Sequence, residues 1–89
     1  MTQALKDIVI NALEEIKATN INSIDVRELT GMMDTMVVAT GNSNRQVKSL
    51  ATSVVVDAKK AGFELIGVEG DDTSEWILVD FGDVIIHIM

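Results

Sequence analysis

The chain has 89 residues, the length of one small domain, and 47% of them are apolar, which supplies a core and is high for a monomer of this size. It has no cysteine, which excludes disulfides, zinc–thiolate sites and thiol nucleophiles. Seven basic against fourteen acidic residues give a formal charge of −7; nucleic-acid affinity rests on neutralising phosphates with Lys and Arg, so nucleic acid is not expected as the main partner. A basic protein suits such a surface, although acidity also serves solubility. No apolar run is long enough for a transmembrane helix, and Lys6 and Asp7 interrupt the order of a signal peptide. A cytoplasmic location without membrane contact is the expectation.

In chain order, Leu5, Ile8, Val9, Ala12, Leu13 and Ile16 recur at helical spacing. They predict an amphipathic helix over 3–19, closed by Thr19 and Asn20. Residues 24–29 alternate with period two and predict a half-exposed first strand, followed by a loop around Gly31. Residues 35–40 (Thr-Met-Val-Val-Ala-Thr) are β-branched and apolar on both sides, which predicts a strand covered on both faces. Gly41 to Asn44 break that strand. Ser43 with Gln46 three residues later fits a capping box and opens a second helix, whose inward stripe is Val47, Leu50, Ala51, Val54, Val55 and Ala58. Gly62 stands where a C-terminal cap glycine belongs. Residues 63–68 predict a third strand, and 69–75 an acidic loop without the alternating ligand spacing of a calcium site.

The last fourteen residues read as a β-hairpin around a two-residue Gly82-Asp83 turn. Phe81 then faces Val84, Asp80 faces Ile85, Val79 faces Ile86, Leu78 faces His87, Ile77 faces Ile88 and Trp76 faces Met89. Opposed residues share a side of the ribbon. One side is wholly apolar (Phe81, Val84, Val79, Ile86, Ile77, Ile88) and predicts core. The other (Trp76, Met89, Leu78, His87, Asp80, Ile85) is too apolar for water and too polar for a dry core, which is the character of a docking surface. The element order α-β-β-α-β-β-β predicts a single α/β domain with one mixed sheet of about five strands and helices covering at least one face.

Few residues suggest chemistry. The turn from Thr40 to Ser43 leads from a strand into a helix and could hold an anion on free amides; an ordinary capped helix start explains it as well, since Ser43 takes one donor. Arg45 and Lys48 sit in the first helical turns against the dipole, as a solvated pair or as functional cations. His87 is the single histidine and Trp76 the single tryptophan. His87 lacks the neighbours of a triad or metal site, and Asp80 is its diagonal neighbour in the hairpin. The pairing sets Trp76 opposite the core side, as an interface anchor.

Residues 34–41 (Asp-Thr-Met-Val-Val-Ala-Thr-Gly), Ser43-Asn-Arg-Gln-Val47, Gly67-Val-Glu-Gly70 and Trp76-Ile-Leu-Val-Asp-Phe-Gly-Asp-Val-Ile-Ile-His87 together resemble the ribosomal silencing factor family, RsfS or Iojap, over nearly the whole chain. The resemblance implies a nucleotidyltransferase-like fold without catalysis, cofactor or metal. It implies binding to large-subunit ribosomal protein L-fourteen, steric obstruction of subunit joining that represses translation, a link to large-subunit assembly, and a homodimer. It also implies a charged helical tail beyond His-Ile-Met, where this sequence stops. With the residue-level reading, it points to Trp76 and Leu78 as apolar anchors and to Asp80, Asp83 and His87 as polar contacts. Asp34 and Arg45 would lie near the edge or hold the loops. Two alternatives stand beside it: a nucleotidyltransferase-type enzyme using the Gly41–Ser43 turn for phosphate and Asp80 for a metal, and a dimerisation module with a self-complementary face.

Overall fold

A computed structural model describes residues 2–27, 29, 31, 34–70 and 75–89. The chain runs α1 (Thr2–Glu15), β1 (Thr19–Asp25), β2 (Thr35–Thr40), α2 (Asn44–Lys60), β3 (Gly67–Gly70), β4 (Ile77–Asp80) and β5 (Val84–Ile88). The predicted element order and mixed five-stranded α/β sheet are both present. The strands lie in the order β1-β2-β5-β4-β3. β2 and β5 are parallel, and every other neighbouring pair is antiparallel.

Both helices pack on one face of the sheet. Their apolar stripes (Leu5, Val9, Leu13; Val47, Leu50, Val54) meet Val37, Ala39, Ile77, Val79, Val84, Ile86 and Ile88 in one buried cluster. Those strand residues fall on the same side because side chains alternate along each strand and directly paired residues share a face.

The hairpin has the predicted register, from Ile77 opposite Ile88 to Asp80 opposite Ile85, and the Phe81 N–H donates to the Val84 carbonyl at 3.0 Å. Gly82 takes φ +88, the left-handed first position that a II′-type turn assigns to glycine. Ser43 caps α2: its Oγ accepts from the Gln46 N–H at 3.1 Å. The return arm of the predicted box is shifted by one residue, because Gln46 Oε1 accepts from the Asn42 N–H. Gln46 Nε2 also donates to the Ile16 carbonyl at 2.9 Å, tying the start of α2 to the end of α1. Ser43→Ala is expected to cost about 1 kcal/mol, read as a lowered urea midpoint with unchanged slope. Gly62, at φ +90, follows Ala61, the C-cap of α2, and the Phe63 N–H closes on the Ala58 carbonyl at 3.0 Å, a Schellman cap.

Four expectations are corrected. α1 ends at Glu15, not at 19. Lys17 turns the chain at φ 63, and the Ala18 N–H bonds back to the Leu13 carbonyl at 3.0 Å. The first strand therefore spans Thr19–Asp25 and not 24–29; its register slips between Thr19 and Asn22, at Asn20 with φ 52, which is a bulge. β2 is covered on one face only: Thr35, Val37 and Ala39 are buried, whereas Met36, Val38 and Thr40 are half-buried. The third strand is Gly67–Gly70, not 63–68, because β3 is defined by pairing with β4, with Gly67 opposite Asp80. Phe63 and Leu65 instead cross from α2 as partly buried packing residues. Of the predicted acidic loop, Glu69 belongs to β3 and residues 71–74 lie outside the described residues.

Candidate docking face

The sheet face turned away from the helices carries three rows of side chains. Nearest the Gly82 turn are Ile24, Met36, Ile85 and Asp80; next come Asn22, Val38, His87, Leu78 and Glu69. Two residues further along each strand are Thr40, Met89 and Trp76, where the Gly41 N–H donates to the Met89 carbonyl at 2.8 Å. No row contains Lys or Arg. Ile24 is 45% exposed, Trp76 39% and Met89 49%. A row of branched and aromatic side chains flanked by carboxylates, with no cation, is an apolar acidic surface.

The predicted site residues divide between this face and its rims. The Trp76 ring meets His87 edge-on, with centroids 6.3 Å apart and planes at 89°; this favourable T-shaped geometry holds the indole at the surface. Leu78 lies directly opposite His87. Asp80 has a structural task too: its Oδ1 accepts the Gly82 N–H at 2.7 Å and pins the turn. The Asp83 carbonyl accepts from Asp34 N–H at 2.9 Å and Thr35 N–H at 3.1 Å, and the Asp34 carbonyl accepts from Val26 N–H at 3.0 Å. Asp34, Asp80 and Asp83 thus gather at one end of the sheet. Trp76 and Met89 mark the other, about 13 Å away along β4.

Arg27 lies at the acidic end, bonded to Asp25 at 2.7 Å. Its hydrogen bonds hold the Asp25 carboxyl below its usual range, and the Asp25 carboxylate, with a smaller contribution from Asp34, in turn favours the charged guanidinium. Both groups of the pair are exposed, so it contributes little to stability. Arg45 stands apart from the group. It is exposed at the start of α2, in the helix layer, in a groove with Ile16, Lys48, Ser49, Thr52 and Ser53.

Sequence reasoning missed Met36, Val38 and Ile24 as members of the face. The signal was present as alternation: Thr35, Val37 and Ala39 take the core phase, and Met36, Val38 and Thr40 the open one. The Gly41–Ser43 turn has the character of a capped helix start. Its Gly41 and Asn42 amides bond within the fold, and a Cβ on Gly41 would come within 2.9 Å of Val47 Cγ2, so this glycine allows α2 to pack close to β2. Among the described residues, no group of three or more His, Asp or Glu is placed to hold a metal, and no helix is long and apolar enough to cross a membrane.

Comparison with known proteins places this arrangement. The family model described as "Ribosomal silencing factor during starvation" (RsfS) matches residues 1–89. A ribosomal silencing factor RsfS from Chromobacterium violaceum is 49% identical over 87 residues, covering 98% of this chain and 71% of the relative. A crystal structure of a protein from the same organism superposes with a TM-score of 0.97 at 48% identity, over 100% of this chain and 74% of that one. A mouse relative named mitochondrial assembly of ribosomal large subunit protein 1 is 28% identical over 86 residues, covering 93% of this chain and 38% of the relative.

Proposed function

The chain belongs to the RsfS family of ribosomal silencing factors, and from that premise we propose that it docks on ribosomal protein L-fourteen of the large subunit and sterically prevents the small subunit from joining. The supporting observation is the open sheet face, an apolar surface with acidic members and no cation. Such a surface is complementary to a basic ribosomal protein: burial of Trp76, Leu78 and Ile85 supplies affinity, and the carboxylates steer encounter and orientation. Obstruction requires no bond-making. The domain measures 32 × 27 × 22 Å, so once docked by its sheet it leaves the full thickness of the helix layer standing on the subunit surface.

In this reading Trp76 and Leu78 are the anchors, His87 orients the indole, and Asp80, Asp83 and Asp34 form the acidic rim. The protein acts in the cytoplasm as a translational repressor, and the name of the mouse relative extends the reading to large-subunit assembly. The homodimer belongs to the proposal as the free state of the same face. The enzymatic alternative is weaker, because the Gly41 and Asn42 amides and the Asp80 carboxylate are already engaged inside the fold.

The direct test mixes purified large and small subunits with increasing amounts of the protein and resolves them on a sucrose gradient. The joined-ribosome peak is expected to fall as the protein approaches stoichiometry with large subunits, and the protein to migrate with the free large subunit. An undiminished joined peak at saturating protein would sink the silencing reading.

A further inference from the structure

The helix α2 has a charge opposite to the rest of the molecule. α2 contains Arg45, Lys48, Lys59 and Lys60 against one acidic residue, Asp57, a formal +3. With −7 for the whole chain, the remaining 72 residues carry −10. Arg45, Lys48, Lys59 and Lys60 are all exposed, and Arg45, Lys48, Thr52 and Lys59 follow helical spacing along one stripe. That stripe runs for about 21 Å from Arg45 to Lys59. Among the described residues the ion pair is Arg27 with Asp25, and none of the four α2 cations is in it. Lys59 and Lys60 suit the C-terminal end of a helix dipole, but Arg45 and Lys48 oppose it at the N-terminal end, so helix stability does not account for them. Solubility does not account for them either, since they reduce the net charge of an acidic protein.

We propose that the outer stripe of α2 is a second contact surface, for the phosphate backbone of RNA. It lies on the layer opposite the sheet face, so both surfaces can be occupied at once. This rests on the large-subunit reading above: on an RNA-rich particle, a protein docked by its acidic sheet holds this cationic helix toward the surroundings, and phosphate is the complementary anion there. Point-charge contacts of this kind position a protein without reading sequence. They also leave the whole chain poorly suited to free RNA, because the remaining −10 repels it.

The protein has no cysteine, so single labels are unambiguous. Thr52→Cys, exposed at mid-stripe, and Asn22→Cys, exposed on the sheet face, each carry an aryl-azide photocrosslinker and are irradiated on purified large subunits. The Thr52 label is expected to transfer to ribosomal RNA and the Asn22 label to a ribosomal protein. In parallel, co-sedimentation of unlabelled protein between about 50 and 200 mM salt should show a log–log slope about 2 steeper than that of the R45Q/K48Q double variant. Transfer from Thr52 only to protein, or an unchanged slope, overturns the RNA contact and leaves the sheet-face reading standing. Failure of the unmodified protein to pellet with large subunits overturns both.

Discussion

Trp76→Ala is expected to release the protein from large ribosomal subunits while the domain remains folded. The indole is 39% exposed, stands edge-on to His87 and lies outside the buried cluster, so its loss removes little from the core. At an interface the same ring excludes water over a wide area, and truncating an anchoring tryptophan commonly costs about 2 kcal/mol or more. That corresponds to roughly 30-fold weaker binding. Co-sedimentation reads the affinity, and circular dichroism melting reads the fold. A variant that melts as the parent does and still pellets equally well would remove Trp76 from the anchor role.

Two adjacent residues of β5 should respond in opposite ways. Ile86 is completely buried under the helices, and Ile86→Ala leaves a cavity expected to cost about 2–5 kcal/mol. For a domain of this size each kcal/mol lowers Tm by about 4–8 °C, so the Tm of Ile86→Ala falls by about 8 °C or more. It should still bind normally at temperatures where it is folded. Ile85 points to the open face between Met36 and Asp80. Ile85→Ala is expected to move Tm by only a few degrees and to weaken subunit binding about tenfold. Equal losses of stability in the two variants would show that the open face is packed like core, contradicting the docking assignment.

The hairpin was legible because its strands alternate strictly and its turn carries glycine where φ is positive. Those two signals set the register, and the register placed Trp76, Leu78, Asp80 and His87 on one face. The first strand was not legible for the converse reason. The chain reverses at Lys17 and bulges at Asn20, both with positive φ and neither a glycine, so the usual marker of a left-handed residue is missing. In β2 the apolar run Met36 to Ala39 reads as doubly covered. Apolar composition alone does not distinguish a face covered by the chain's own helices from one kept for a partner. The start of β3 depended on a long-range fact, pairing with β4 near the hairpin turn, which no local pattern around 63–68 records. Arg45 was singled out by its conflict with the helix dipole; the fold sets it in the other layer from the hairpin residues, which gave that conflict a different meaning.

The sheet order has a consequence for the birth of the molecule. β5 comes last in chain order among the five strands of the sheet and lies in the middle in space, joining β2 on one side to β4 on the other. Until it emerges from the exit tunnel, the two early strands and the two later ones are separate ribbons, and α1 and α2 have only half a platform beneath them. The core of a nascent chain therefore stays unfinished until Val84–Ile88 are available, and Val37, Ala39 and Val79 lack their β5 neighbours until then. A ribosome stalled before Val84 carries a chain that has not yet acquired its shape.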